Sequence, residues 1–143
     1  MKLREATEAD IVFIKELLMS NDLPFEDVSL DKVSLLIGYL NSKILGVIGV
    51  EIHGCFGLLR SLVIKEHFRE RGLGKELVYK MIQYVKQKDV KELYLLTTSA
   101  MRFFENLGFK KIKRSDVPEI IQTTREFIDL CPDSAICMKK EIF

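Results

Sequence analysis

Residues 68–77 read "FRERGLGKEL", in which Arg69, Arg71 and Lys75 bracket the pair Gly72 and Gly74. The chemistry open to such a stretch is anion binding. A helix begins with N–H groups that lack intrahelical partners and with the positive end of its dipole. Glycines there let the backbone come close to a phosphate, and cationic side chains at the rim add to the attraction. The same residues also suit a sharp strand-to-helix turn with solvated charges, and the stretch alone does not choose between the two. Two common phosphate motifs are excluded. No Gly-x-x-x-x-Gly-Lys-Ser/Thr loop occurs, and Gly72-Leu73-Gly74 is followed by Leu77 where the dinucleotide fingerprint needs a third glycine.

Arg60 is the second residue of chemical interest, because it sits inside the apolar run "LLRSLVI". A charge there is costly unless it is paired. It is a fork for an oxyanion on a bound substrate, an internal bridge to Glu51 or another acid, or a side chain reaching solvent at a strand edge. Cys55, Cys131 and Cys137 form no Cys-x-x-Cys pair, so neither a disulfide framework nor a zinc site is expected, and the thiols are taken as reduced.

The elements that must hold these residues follow from periodicity. "KLREA" alternates as a short strand, and Thr7 is an N-cap ahead of Ile11, Ile14, Leu17 and Leu18 at helical spacing. "SNDLPFEDVSLDKV" reads as a loop with a short helix. "LLIGYL", "NSK" and "ILGVIGVEIHG" form a hairpin, and a second turn between Gly54 and Gly57 leads into "LLRSLVI". A helix is expected over 74–88, with Leu77, Val78, Met81, Ile82 and Val85 on one face. A buried strand "ELYLLTT" comes next, then a short helix "MRFFENLG" closed by Gly108, then a strand "FKKIKR". "PEIIQTTREFIDLC" reads as one helix with Pro118 and Glu119 in its first turn, and "SAICMKKEI" as a final strand. The order predicts a mixed α/β sheet in one domain, residues 1–143.

Composition bounds the partners. Lys and Arg number 22 against 21 Asp and Glu, so no one-sided basic field is available for nucleic acid, and none is expected as a partner. Runs such as "ILGVIGV" are too short to cross a bilayer, and "MKLREATEAD" has no signal-peptide core, so a cytoplasmic protein with no membrane partner is expected.

Residues 58–77, "LLRSLVIKEHFRERGLGKEL", resemble the first signature of the GNAT N-acetyltransferases, Arg/Gln-x-x-Gly-x-Gly/Ala after a strand. Residues 93–112, "LYLLTTSAMRFFENLGFKKI", resemble their second, a strand and a helix ending in a Gly-Phe turn. The resemblance implies the GNAT fold over essentially the whole chain: a mixed central sheet of about six to seven strands, flanked by about four to five helices, with splayed central strands. It implies acetyl-CoA as cosubstrate without a metal, and an anion-binding rather than a merely turning role for Arg69, Glu70, Arg71, Gly72, Leu73, Gly74 and Lys75. Leu62, Val63 and Ile64 would present backbone groups to the pantetheine arm, and one N–H, assigned to Leu62, would polarise the thioester carbonyl.

Glu51 is the first candidate base, since carboxylates of the family often face the acceptor from that strand; a solvated residue beside a turn is the competing reading. His53 ranks second. In the family's Phe-Tyr-Glu-like triplet a Tyr protonates the leaving thiolate. Here the triplet is Phe103-Phe104-Glu105, so Phe104 is left as a cofactor contact and Tyr94 as a weak substitute. Arg60, Thr97, Thr98 and Phe25 are assigned to a small-molecule amine acceptor. "LTT" with the aromatic-rich helix also resembles N-acetylglutamate synthase-type domains, which points to amino-acid-like acceptors. "GLLRSLV", "LYLLTT", "RFFENLGF" and "TTREFIDLCPDSAICM" together resemble a GNAT subgroup associated with arsenic resistance, which implies a small amine, including an amino-acid-like arsenical. Two other readings stand beside acetylation of a small molecule: an acetyl-CoA-binding sensor without efficient catalysis, and a protein lysine acetyltransferase. The final strand is a candidate for homodimer pairing.

Overall fold

The computed structural model describes residues 1–143. Near-continuous apolar runs, buried on both faces, form β2 (Ser34–Leu40), β3 (Lys43–His53) and β4 (Phe56–Ile64), which lie with the short β1 (Lys2–Glu5) side by side as antiparallel neighbours. The β2–β3 hairpin turns through Asn41 and Ser42, both at positive φ (50° and 67°), the geometry that matches strand twist in a two-residue turn. α1 (Ile11–Ser20) lies between β1 and β2 in the chain. β4 is followed by α2 (Leu73–Lys86), which runs back to β5 (Glu92–Thr97), parallel to β4. The remaining strands, β6 (Lys110–Lys111) and β7 (Ile136–Glu141), complete a seven-stranded sheet in the order β1-β2-β3-β4-β5-β7-β6.

The sheet buries both faces. On one, Leu77, Val78, Met81 and Val85 of α2 pack with Ile48, Val50, Leu59, Leu93 and Leu95, joined by Phe104 of α3 (Met101–Asn106). On the other, α1 sets Ile14 and Leu18 against Leu35, Ile37, Val47 and Val63. Beside it, Ile121 of α4 (Glu119–Gln122) and Phe127 cover Leu58, Tyr94 and Cys137. These are two separate apolar clusters, and Arg60 and Glu51 belong to neither.

Three expectations are corrected. Residues 20–33 contain turns but no helix beyond the end of α1. The helix expected from Pro118 to Cys131 is interrupted: α4 stops at Gln122, and a single π-helical turn spans Glu126–Leu130. Thr123 and Thr124 explain the break. Their hydroxyls donate to the carbonyls of Ile120 and Ile121, at 2.9 and 2.7 Å, in competition with helical N–H groups. The final strand is not a free edge, since β7 pairs with β5 along its length and with β6 at Met138 and Lys139.

Candidate active site

The site starts with a fault in β4. Val47 pairs with Val63 and Gly49 with Arg60, so β4 carries an extra residue against β3. Ser61 takes the strain, with φ at 60°; such a bulge bends its strand and re-aims the residues beyond it. Gly46 makes room further on, since a Cβ there would sit 2.5 Å from the carbonyl oxygen of Val63. On its other side β4 pairs with β5 only from Phe56 to Leu58. From Leu59 to Ile64 that edge has no strand partner, so backbone groups of Leu62, Val63 and Ile64 border a gap rather than a ladder.

The gap opens into a cavity of about 650 Å³, walled by residues from both faces of the sheet. Beyond one end, next to the wall residues Ile64, Arg69 and Phe103, lies the glycine loop, whose residues 70–75 do not line the cavity themselves. Gly72 is the residue before α2 and has φ 75°. The first bond of this helix runs from the Glu76 N–H to the Gly72 carbonyl at 3.1 Å, so the N–H groups of Leu73, Gly74 and Lys75 have no helical partner. A Cβ on Gly72 would meet nothing within 4 Å, which marks open space above the loop, while Gly74 lies against the ring of Phe103. Donor chemistry, access and charge fit a pyrophosphate here. Glu70 also has positive φ, 64°, and turns the chain toward Gly72. Arg71 stacks over Phe68, 5.7 Å from its ring centre. Arg69 has a structural task that its place in the motif does not announce. It donates to the Ile64 carbonyl at 2.9 Å and to Asn21 Oδ1 at 2.7 Å, tying the end of β4 to the loop after α1.

At the other end is a buried charge cluster. The Arg60 side chain has no solvent exposure and faces Asp27, Glu51 and Glu126. It donates to both oxygens of Asp27 at 2.6 and 2.7 Å, and to Glu51 Oε2 at 2.7 Å, while its Nε donates to Ser61 Oγ at 3.2 Å. Of the readings of Arg60, the internal bridge is the one present; neither the free fork nor a side chain reaching solvent is. Glu51 is bound to Arg60, and its Oε1 lies 3.3 Å from His53 Nε2. Neither Glu51 nor His53 lines the cavity, whereas Arg60, Thr97, Thr98, Phe25, Phe104 and Glu126 do. Thr97 is already engaged, accepting the Ala100 N–H at 2.9 Å. Tyr94 is core, bonded to Glu92, and does not reach the cavity.

Burial and its partners set the titration of this cluster. Burial opposes the charge of Arg60, yet the hydrogen bonds and charges of its carboxylates hold the guanidinium ionised above its ordinary range. Burial also raises the Asp27 carboxyl, but the hydrogen bonds and charge of Arg60 outweigh it and hold it low. Glu126 goes the other way. Burial pushes it up, Arg60 pulls back, and the charges of Glu51 and Asp27 push again, leaving it at about 7. Neither Asp27 nor Glu126 has a sequence signal: one lies in a polar loop, and the other falls in what reads as a regular helix.

The chain belongs to the acetyltransferase (GNAT) family, which it matches over residues 5–109. An uncharacterized N-acetyltransferase of Chlorobaculum tepidum is 35% identical over 63 residues, 44% of this chain and 40% of that relative, so the match spans less than half of the relative's length. Among solved structures, Rv2747 of Mycobacterium tuberculosis, in complex with CoA and NLQ, aligns over 100% of both chains with a TM-score of 0.81 at 18% identity. The N-acetylglutamate synthase of Neisseria gonorrhoeae, complexed with coenzyme A and N-acetyl-glutamate, aligns over 99% of this chain and 35% of its own, with a TM-score of 0.81 at 15% identity. The expected mixed sheet with splayed central strands is therefore the GNAT fold.

Proposed function

We propose that the chain transfers acetyl from acetyl-CoA to the amine of a small, amino-acid-like molecule. The observation that carries this is the unpaired edge of β4, which lines one cavity from the Arg60 cluster to Ile64, where the glycine loop adjoins the wall through Gly74. Acetyl-CoA, as substrate, supplies an acetyl group activated as a thioester.

The chain's own residues do the rest. Leu73, Gly74 and Lys75 offer N–H groups to the pyrophosphate, with Arg69, Glu70, Arg71 and Gly72 shaping the approach. The β4 edge at Leu62, Val63 and Ile64 pairs with the pantetheine arm as an added strand would. A backbone N–H, assigned to Leu62, faces the thioester carbonyl and stabilises charge developing on its oxygen. Phe104 provides apolar cover without a proton. Thr98, Thr97 and Phe25 bound the acceptor, with Phe25 reaching in from the loop after α1. That loop borders the cavity through residues 21–26, which favours a small acceptor over a lysine on a protein surface. The N-acetylglutamate synthase was solved with N-acetyl-glutamate, which supports the same size class. The arsenic association rests on the likeness of "GLLRSLV", "LYLLTT", "RFFENLGF" and residues 123–138 taken together, and three unpaired thiols are consistent with a cytoplasmic setting.

The test is an acetyl-CoA titration by calorimetry followed by assay of CoA release with a panel of small amino acids, amino-acid arsenicals and peptides. Micromolar binding with turnover of small amines is expected. Binding without turnover would leave a sensor; turnover of peptides alone would make the acceptor a protein.

A further inference from the structure

We propose that Glu126, presented to the cavity by the π-helical turn at Glu126–Leu130, is the group that takes the proton from the acceptor's ammonium. The proposal rests on the acetyl-transfer reading above and adds a residue that reading does not use. Of the three carboxylates around Arg60, Glu126 alone lines the cavity. Asp27 and Glu51 take the hydrogen bonds from the Nη atoms of Arg60, and the Nε bond goes to Ser61 Oγ. Glu126 Oε2 faces Nε at 3.1 Å as a charge contact, which leaves its carboxylate able to receive a donor from the cavity side.

Charge counting gives the same assignment. One guanidinium stands against three carboxylates in a volume nearly closed to water. Two of them take its hydrogen bonds; the third is the one whose charge is least supported, so it exchanges a proton near neutrality. The groups that face it are Arg60 from β4, Glu51 from β3 with His53 behind it, and Asp27 from the loop after α1. Cys131 lies on its own segment, and burial pushes that thiol up to about 12, so it stays neutral and does not compete for the proton. The interruption at Thr123 and Thr124 is what turns Glu126 inward, and the i to i+5 bond from the Cys131 N–H to the Glu126 carbonyl, 3.0 Å, closes the turn. Single π-turns of this kind are frequent at functional sites.

In the step, the ammonium gives one proton to the Glu126 carboxylate, and the neutral amine attacks the thioester carbon. A C–N bond forms and the C–S bond breaks. The second proton lost by nitrogen ends on the departing sulfur, giving CoA thiol, and Glu126 returns its proton to solvent. One amide, one thiol and one released proton balance one ammonium and one thioester.

Wild type and Glu126→Gln are titrated with acetyl-CoA by calorimetry and assayed with the amine panel between about pH 6 and about pH 10. Acetyl-CoA affinity is expected to be unchanged. The kcat/KM of the variant should fall about 100-fold or more near neutrality and should climb toward wild type as solution supplies free amine; Glu126→Asp should recover part of the loss. A variant with the wild-type profile, or loss of the neutral limb in Glu51→Gln instead, would overturn the assignment. Carbon-13 NMR of the glutamate carboxyls reads the wild type directly: one should titrate near neutrality, and none doing so would overturn it even if the variant failed to fold. A wild type that binds acetyl-CoA but turns over no amine would sink the acetyl-transfer reading, and the role of Glu126 with it.

Discussion

Arg60 and Asp27, separated by 33 positions in the chain, meet as a forked pair, with both Nη atoms donating to separate carboxylate oxygens at 2.6 and 2.7 Å. The pair fastens the loop after α1 to the middle of the sheet and so closes one wall of the cavity. Asp27→Asn keeps the shape but removes the charge. Because Arg60 retains Glu51 and gains a more fully ionised Glu126, the expected loss is about 1–3 kcal/mol, with a raised KM for the acceptor. Arg60→Ala is worse, since it strands three buried carboxylates, and should cost about 3–5 kcal/mol. Urea unfolding of both variants checks the order. Equal losses would mean that the loop, not the charge cluster, sets the cost.

Gly72 separates binding from folding. Its φ of 75° penalises any side chain, but a Cβ there meets no atom within 4 Å. Gly72→Ala should therefore cost about 1–2 kcal/mol of stability and weaken acetyl-CoA only modestly. Gly72→Glu adds a carboxylate beside the free N–H groups and should weaken acetyl-CoA by about 100-fold or more, some 3 kcal/mol. Calorimetry on both variants is the check. Similar affinities for the two would remove the anion site from this loop.

The contrast between these two positions shows what the sequence could carry. The glycine loop is local: strand, two glycines, basic residues and amphipathic helix are contiguous, so the periodicity that builds α2 also locates the loop. The splay of β4 from β5 is not local. It depends on an extra residue at Ser61 against β3, and nothing about a serine in an apolar run announces a left-handed φ. The Arg60 cluster is harder still. An arginine in a core strand demands partners, and Glu51 on the neighbouring strand is a legible one, but Asp27 comes from a loop with no periodicity. Glu126 lies where apolar spacing continues helically through Phe127 and Ile128, so the break made by two threonine hydroxyls overrides an otherwise consistent pattern.

Phe104 occupies the place where the family pattern carries a tyrosine. It is 8% exposed, edge-on to Phe103 and Phe109, and on the cavity wall. A CoA thiol with a pKa of about 8.5 leaves without much help from an acid, so the missing hydroxyl should cost little. Phe104→Tyr is expected to leave acetyl-CoA affinity unchanged and to raise kcat by about threefold or less, below the range of an essential acid. A rise of two orders of magnitude would mean that thiolate departure limits the native enzyme.

Glu126 also leaves a mark on stability that can be read without substrate. Its carboxyl is raised in the folded protein from an ordinary value of 4.5 to about 7, first by burial, with Arg60 opposing and Glu51 and Asp27 adding to the rise. A group whose folded pKa is raised holds its proton more tightly in the native state. Its stabilisation is therefore complete below about pH 4.5 and is lost as pH climbs through about 7. Above that, the native state carries a buried, weakly supported charge. Glu126→Gln removes that charge and leaves Arg60 with both of its hydrogen-bonded carboxylates. The variant should thus melt higher than wild type at about pH 8, by about 4 °C for 1 kcal/mol in a domain of this size, and the gap should close toward about pH 5. Thermal unfolding of the two proteins across this range decides it. A variant less stable than wild type at every pH would show that Glu126 is ionised and firmly paired with Arg60, as a structural bridge rather than a proton acceptor.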